Sequence, residues 1–560
     1  MQQFYRIDEG AASLESLSAR QQALVRSAIT YNSLIQPGRT LAYHVYMGEK
    51  WQYPRLTDTS TLNGSLTTDA GLKPLCTLRV TSTVAPTSEF SPHFFAGDEQ
   101  LVDRNVRHLL LTPDDATDDD VQLHNGTDRA QRLYRSLELN HPVLLDRIRE
   151  RQRRKRERTG LSPIKPYDPP TVERINSEEP HHPFIERKPG PTVPGAPKAV
   201  IVGMHWLQAG GAERWAARTV ELVRQAGMLP VVVTDRDSHQ PWILNPEFEG
   251  ALVLCLTMPI QDRIGDNPLL RALFEQFDVR GVLVHHCQWL YDALWRIKKY
   301  YPSVPVMDSL HIVEYRFHGG YPSEAVRNDA WIDTHHVISP QLEHWLVEGH
   351  GISADKVVDA PLVDLTTGEG APVFKPRREP GKLTVSFVGR STRQKRPDAF
   401  LLLAKELERK APGAFRFVLH GGGELDTELR TMVGRYGLDG CVEFRTMGVP
   451  VSRTYADSDV LVISSVNEGI TLTTFEALAA GVPVLSSNVG SQDTVIPSAG
   501  LLPRESAPFA REGATRLMSL SADESAREQL WKDEQALVAQ FSRLETADHF
   551  FSRTLTKWSE

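Results

Sequence analysis

The stretch from Val460 to Val489 constrains the fold of this chain more than any other. Two short apolar runs, Val460–Ile463 and Val482–Leu485, enclose a segment with helical character that begins at Thr471 and ends at Gly481. Apolar runs of this length on either side of a helix are typical of neighbouring buried strands in a parallel sheet. The sequence therefore predicts a strand–loop–helix–strand unit of an α/β domain.

The loop before that helix carries the residues that predict a ligand. Backbone amides at a helix N-terminus attract anions, and Gly469 lets the backbone approach a ligand closely. Carboxylates accept hydrogen bonds from hydroxyl groups. A ligand that is both phosphorylated and polyhydroxylated satisfies both features. The residues at this predicted site are Glu468, Gly469, Ile470, Thr471, Leu472 and Glu476.

The run from Glu468 to Glu476, followed by Ala-Leu-Ala-Ala-Gly-Val-Pro-Val, resembles the Glu-x7-Glu signature of retaining glycosyltransferase family 4. Two glutamates at this spacing are common on surface helices, so the surrounding strands and helix carry the resemblance. It covers about residues 198–555 and implies the GT-B fold, with two Rossmann-like domains facing one cleft. In that family the first glutamate contacts the donor sugar and the second binds the ribose.

Earlier in the chain, a strand at 199–203 leads to Gly210, Gly211 and a helix, which predicts the first unit of a Rossmann-like domain. The G-x-G-x-x-G fingerprint is absent, so a dinucleotide is not implied. The glycine pair resembles the family's loop near the donor diphosphate and sugar. Alternatively, the two glycines have no role in binding and only permit the turn between the strand and the helix. His311, just past another strand, is similar to the family's histidine at the reaction centre.

The second domain begins with a strand at 383–388 and a basic loop containing Arg390 and Lys395. This stretch resembles the family's F-V-G-R…K-G-x-D element, with Arg396 in place of the usual glycine. The resemblance implies that Arg390 and Lys395 hold the donor diphosphate, the arginine as a planar fork and the lysine as a point charge. We therefore predict His311, Glu468, Arg390 and Lys395 as catalytic residues.

Two patterns raise the question of a metal. Asp235-Arg-Asp237 resembles the D-x-D triplet of the GT-A transferase fold, but an Asp-rich turn after a strand is the simpler interpretation. His311, His318, His335 and His336 match no zinc-binding spacing. We expect no metal and no cofactor, with a nucleoside-diphosphate sugar as the donor substrate.

The front of the chain resembles no family that we recognise. A helix at 11–36 and strands at 40–47, 75–84 and 106–111 predict a small α+β or β-rich domain. A helix from about Asp128 ends in the basic run Arg147–Arg158. This run is either a solvent-exposed helix whose cations pair with its own glutamates, or a surface that binds anionic lipid. The proline-rich stretch 159–197 predicts an extended linker, so we expect residues 198–560 to fold alone.

These features divide the chain into five parts. They are an N-terminal accessory domain at 1–125, a basic helix and linker at 126–197, an acceptor-side Rossmann-like domain at 198–378, a donor-binding Rossmann-like domain at 379–535, and a C-terminal helix at 536–560 that crosses back to the first Rossmann-like domain.

Composition narrows the function further. A net charge of −8 gives no support for a nucleic-acid partner. The four cysteines are scattered, and the sequence shows neither an apolar run long enough to span a membrane nor a signal sequence. These features favour a cytoplasmic protein. A peripheral contact at the inner face of the membrane stays open. Self-association through the N-terminal domain also stays open.

The predicted function is a retaining glycosyltransferase, independent of metal, that moves a sugar from a UDP or GDP sugar to a hydroxyl. The acceptor would be a glycan, a lipid-linked molecule or a protein, in the synthesis of a polysaccharide or another glycoconjugate. A non-catalytic GT-B scaffold and a GT-B sugar-nucleotide epimerase are the alternatives.

Overall fold

The structure is a computed structural model that describes residues 4–48, 73–85, 105–115, 136–160, 162–178, 190–257, 266–315, 318–366, 371–377, 381–446 and 448–560. Its described strands form three sheets, of four, seven and six strands. Asp128, where the basic helix was predicted to begin, lies outside these residues.

The four-stranded sheet belongs to the front of the chain. Its order is β1-β3-β2-β4, for β1 Tyr5–Glu9, β2 Thr40–Met47, β3 Cys76–Ser82 and β4 Val106–Leu111. Two helices, α1 Ala11–Glu15 and α2 Ala19–Ile35, replace the single helix predicted at 11–36. The break has a local cause, because Ser18 and Gln21 form a capping box that starts a new helix.

Helix α2 joins this sheet to the next domain. The ring of Phe4 packs edge-on against Phe277 at 5.8 Å, and the Ser27 hydroxyl accepts a 2.8 Å hydrogen bond from the Cys255 amide. Buried residues of α2 belong to the same hydrophobic core as the first Rossmann-like domain. This shared core argues against the prediction that residues 198–560 fold alone.

Two helices follow, α3 Pro142–Gly160 and α4 Pro169–Glu178. The second lies inside the stretch predicted to be an extended linker, so that prediction was wrong for these residues. Pro169 and Pro170 fit the first turn of α4 because the amides there have no partner within the helix. Further along the linker, the Gly190 amide donates a 2.8 Å hydrogen bond to Glu275.

The first Rossmann-like domain contains a seven-stranded parallel sheet, with strand order β11-β10-β9-β8-β5-β6-β7. Its strands are β5 Lys198–Met204, β6 Leu229–Thr234, β7 Leu252–Cys255, β8 Asp278–His285, β9 Val306–Leu310, β10 Thr334–Val337 and β11 Val357–Asp359. Its α-helices are α5 Gly211–Gln225, α6 Asp266–Gln276, α7 Gln288–Tyr300, α8 Tyr321–Arg327 and α9 Pro340–His344. The central strands are buried, as apolar parallel strands require.

The second Rossmann-like domain contains a six-stranded parallel sheet, with order β14-β13-β12-β15-β16-β17. Its strands are β12 Leu383–Val388, β13 Phe415–His420, β14 Val442–Arg445, β15 Val460–Ile463, β16 Val484–Ser487 and β17 Leu501–Leu502. The helices in this part of the chain are α10 Pro397–Lys410, α11 Asp426–Tyr436, α12 Val451–Asp457, α13 Leu472–Ala479, α14 Ser506–Ala522, α15 Glu524–Phe541 and α16 Ala547–Ser559.

The last helix, α16, packs on the first Rossmann-like domain rather than on the second. The ring of Phe551 meets Trp215 of α5 edge-on at 4.9 Å, and Trp558 covers Gly281 of β8, where a larger residue would clash with the indole. Two Rossmann-like domains that face one cleft are the predicted GT-B arrangement, which is confirmed. None of the described helices combines the length and apolar character needed to cross a bilayer.

Candidate active site in the interdomain cleft

The two Rossmann-like domains meet where the loop before α13 touches the end of β9. A Cβ atom added to Gly469 would lie 2.0 Å from the carbonyl oxygen of His311, so the contact requires glycine. Behind this loop, Gly490 has a φ of +60° and packs against the carbonyl of Glu468. Backbone contacts on both sides therefore fix the position of the loop backbone at Glu468.

Glu468 forms an ion pair with Lys395. The Lys395 Nζ lies 2.6 Å from Glu468 Oε1, and the side chains are 25% and 7% exposed. The Ser464 hydroxyl holds the Lys395 loop by donating a 3.0 Å hydrogen bond to the lysine's carbonyl oxygen. Two predicted catalytic residues from separate loops thus lie together, with the lysine the more accessible of the pair.

Arg390 follows β12 on a loop built on glycines. Gly421 packs so closely on the Gly389 carbonyl that no side chain fits there. The exposed guanidinium of Arg390 makes no hydrogen bond within the described residues. Its positive charge contributes to lowering the pKa of His205 and of Glu213 in the first domain, although burial has the larger effect on each pKa. An uncommitted cation is therefore available at the cleft.

Gly210 and Gly211 begin α5 opposite the start of α13. A Cβ added to Gly211 would lie 3.7 Å from Leu472 Cδ1, so the N-terminal ends of these two helices approach each other across the cleft. The Glu213 carboxylate folds back over Gly210 and accepts a 3.0 Å hydrogen bond from Trp206 Nε1. Burial raises the pKa of Glu213.

Glu476, in the second turn of α13, has a partner on each carboxylate oxygen. Arg214 of α5 pairs with Oε1 at 2.5 Å, and the Tyr455 hydroxyl donates to Oε2 at 2.9 Å. Sequence reasoning missed both partners. Arg214 had a signal, since it lies in the first turn after the glycine pair, whereas nothing local marks Tyr455.

His311 is buried beside the cleft, with its Nε2 3.2 Å from the Ser309 hydroxyl. Its ring meets His286 edge-on at 5.1 Å. Burial, and then the neighbouring His286, keeps the pKa of His311 well below its ordinary value. The imidazole is therefore neutral near pH 7. The structure brings its backbone carbonyl, rather than its ring, into contact with Gly469.

His285 is the last residue of β8 and His286 follows it, and the two side chains have different surroundings. His285 faces the core and lies 3.0 Å from the Thr219 hydroxyl. His286, with a φ of +56°, faces the cleft side and stacks on Tyr321 at 4.9 Å, and its Nε2 has no hydrogen-bond partner within the described residues. His205 joins this cluster, 4.8 Å from Tyr321. Sequence reasoning missed His205 and Tyr321.

Three of the residues that were considered as metal ligands make structural contacts instead. Asp235 accepts a 2.9 Å hydrogen bond from the Trp289 amide and so stabilises the start of α7. His335 lies between Asp308 and Asp329, at 2.9 and 3.1 Å, and His336 bonds the Ala360 carbonyl. Among the residues that the structure describes, no three His, Cys, Asp or Glu side chains are placed to hold a metal ion.

Residues 382–518 match the family model described as glycosyl transferases group 1. The matched residues hold Arg390, Lys395 and both glutamates of the α13 loop and helix.

Curated relatives are D-inositol 3-phosphate glycosyltransferases. The Nocardia farcinica protein is 31% identical over 186 residues, which are 31% of this chain and 38% of that protein. The Corynebacterium efficiens protein is 26% identical over 289 residues, or 47% of this chain and 67% of that protein. This chain thus spans well under half the length of the first of these relatives.

Solved structures with a similar fold include Anabaena HepE in complex with UDP, at 15% identity and a TM-score of 0.49, covering 64% of this chain and 98% of that one. Sucrose-phosphate synthase from Thermosynechococcus elongatus has 18% identity and a TM-score of 0.48, covering 65% and 98% of the two chains.

Proposed function

We propose that this protein is a retaining glycosyltransferase that moves a sugar from a nucleoside-diphosphate sugar to a hydroxyl acceptor. The observation that carries the proposal is the grouping of Arg390, Lys395 and Glu468 at the cleft where the N-terminal ends of α5 and α13 meet. Cations and helix amides suit a diphosphate, and a carboxylate beside them suits sugar hydroxyls. The match of residues 382–518 to group 1 glycosyl transferases supports this proposal.

The diphosphate would bind between Arg390, Lys395 and the amides of Gly469, Ile470, Thr471 and Leu472. Negative charge grows on the leaving diphosphate as the glycosidic bond breaks. Groups already fixed around that charge stabilise the transition state without reorganising. This arrangement needs no metal ion, and we propose that none takes part.

Glu468 would hold hydroxyls of the donor sugar, with the ion pair to Lys395 orienting its carboxylate. Glu476 would hold the ribose hydroxyls, as the resemblance to family 4 implies. Both oxygens of Glu476 already have partners, so the ribose would share or replace the contact with Arg214. We propose that Arg214 positions Glu476 for this purpose.

The acceptor would enter from the first Rossmann-like domain, where the neutral cluster of His205, His286 and Tyr321 lies. Its hydroxyl would attack the face that the diphosphate leaves, and its proton would pass to a phosphate oxygen. Configuration at the transferred carbon would then be retained.

The full chain should be incubated with a panel of UDP and GDP sugars in EDTA while release of the nucleoside diphosphate is followed. Inositol 3-phosphate belongs among the acceptors, because the curated relatives carry that activity in their names. Slow release that is lost in Arg390→Ala supports the proposal, and the anomeric configuration of the product by NMR tests retention. Donor binding without release or transfer from any sugar nucleotide would favour a non-catalytic scaffold.

A further inference from the structure

Helix α3 docks on the second Rossmann-like domain through its acidic side chains. Glu150 and Glu157 both pair with Arg504, at 2.6 and 2.5 Å. Asp146 accepts a 2.8 Å hydrogen bond from the Ser506 amide. All three acids of the helix therefore face the domain and are engaged there.

This arrangement leaves cations on the opposite side of α3. Arg149 pairs with Glu138, and Arg153 and Arg154 pair with Glu150. The remaining cations are exposed and make no ion pair with any residue that the structure describes. They are Arg147, Arg151, Lys155, Arg156 and Arg158. These five cations are solvent-exposed, as a solvated helix requires, but the internal glutamate partners predicted for this helix pair only with Arg153 and Arg154 among the cations of α3 that the structure describes.

Two large apolar residues lie among these cations. Leu144 is 54% exposed and Ile148 is 48% exposed, and their spacing of four residues places them side by side on the helix. With 3.6 residues per turn, Leu144, Arg147, Ile148, Arg151, Lys155 and Arg158 share one face, which is roughly 21 Å long. We call this face the basic stripe.

We propose that the basic stripe docks the protein on a membrane surface that carries anionic lipid headgroups. The cations match the negative charge of the headgroups, while Leu144 and Ile148 enter the boundary between headgroups and acyl chains. A nucleic acid would satisfy the charges but would leave both apolar side chains in water. The whole chain carries a net charge of −8, so the attraction comes from this face and not from the average charge.

The helix is already anchored for this role. Leu145 is buried, and the paired acids hold α3 to the domain. Binding therefore does not have to supply the ordering cost of folding a free segment.

Co-sedimentation of the full chain with vesicles tests the proposal. Vesicles of phosphatidylcholine mixed with phosphatidylglycerol should bind the protein, and phosphatidylcholine alone should not. Arg147→Gln, Arg151→Gln and Lys155→Gln combined should weaken binding on the order of a hundred-fold. Leu144→Ser with Ile148→Ser should also weaken binding, although the net charge is unchanged.

A matched control removes three exposed cations elsewhere, by Arg511→Gln, Arg543→Gln and Lys557→Gln. It changes the net charge equally and should bind like the wild type. Because every substituted side chain is exposed, unfolding temperatures should not change. Equal losses in both triple variants, failure of the wild type to bind the anionic vesicles, or binding of duplex DNA without binding of vesicles would each overturn the proposal.

Discussion

Replacing Gly469 with alanine tests how the cleft is held together. The added Cβ would lie 2.0 Å from the His311 carbonyl oxygen, and Cβ contacts shorter than 3.0 Å essentially do not occur. The two backbones must therefore separate by at least 3.0 − 2.0 = 1.0 Å. The 2.8 Å hydrogen bond from Asn467 Nδ2 to the Val313 carbonyl lies next to this contact and would lengthen with it.

A shift of this size matters for catalysis because Glu468 adjoins the substituted position. Misplacement by about 1 Å can cost roughly 100-fold in rate, which corresponds to about 2.7 kcal/mol of transition-state stabilisation. Opening of the cleft relieves the clash without disturbing either domain core. We therefore expect kcat/KM for donor hydrolysis to fall by about this factor while the thermal unfolding temperature changes little.

Gly434→Ala is the matched control. Gly434 lies in α11, and the nearest atom to an added Cβ is Asp439 Oδ1 at 3.8 Å. This variant should keep wild-type kinetics and gain about 0.5–1 kcal/mol of stability, because alanine favours a helix over glycine. Initial rates and thermal melts of both variants decide the matter. A Gly469→Ala protein with wild-type kcat/KM and wild-type melting would refute the steric reasoning.

Four further predictions follow from the site and the cores. Glu468→Gln should lower kcat with little change in affinity for nucleoside diphosphate, whereas Glu476→Gln should weaken that affinity by ~1–3 kcal/mol. Initial rates and calorimetric titration with nucleoside diphosphate distinguish the two variants. Arg390→Ala should cost ~2–4 kcal/mol in kcat/KM with folding intact, and near-normal turnover would exclude its role at the diphosphate. Burial lowers the pKa of His335, but Asp308 and Asp329 together outweigh burial and raise the pKa to about 9. The stabilisation from the protonated imidazole is complete below the ordinary pKa of 6.5 and is lost as the pH rises to about 9. Denaturant titrations should therefore show a decline in stability over this pH window that is smaller in His335→Asn. Residues 198–560 alone should be insoluble or lack a cooperative melt, because α2 shares the first domain's core, and a soluble, two-state fragment would contradict this.

The local parts of the fold could be predicted from sequence because their causes are local. The apolar run of β15 forms a buried strand with the predicted bounds, Val460–Ile463, and Thr471 is the N-cap residue of α13, where the helix was predicted to begin. The break at Ser18 is also local, and the capping box that causes it is visible in the sequence. That feature was available and was overlooked.

The contacts across the cleft could not be predicted in the same way. Arg214 and Glu476 are 262 residues apart in the chain, and Gly469 meets His311 through backbone atoms that no side-chain pattern marks. Such pairs depend on how two separately formed sheets approach each other. The resemblance to family 4 proposed a ligand role for Glu476, but it carried no information about its partners in this chain.

Arg396, which departs from the family pattern, connects the second Rossmann-like domain with the front of the chain. Its φ is +55°, a region that favours glycine and costs a larger residue roughly 1–3 kcal/mol. The side chain is 3% exposed, its Nε donates a 2.9 Å hydrogen bond to the Ser464 carbonyl, and Asp146 of α3 lies 3.5 Å from Nη1. Glycine at position 396 would leave Asp146 without this cation. The arginine that replaces the family's glycine therefore has this structural role only when α3 is docked on the domain.

The residues before the Rossmann-like domains therefore contact both of them. Helix α2 shares a core with the first domain, and α3 pairs with Arg504 and Arg396 of the second. A segment attached to both sides of a cleft limits how far the two sides can separate. Because the α3 contacts are ion pairs with buried acids, removing one partner leaves an uncompensated charge, which is strongly destabilising. Opening of the cleft is consequently expected to leave α3 attached to the second domain.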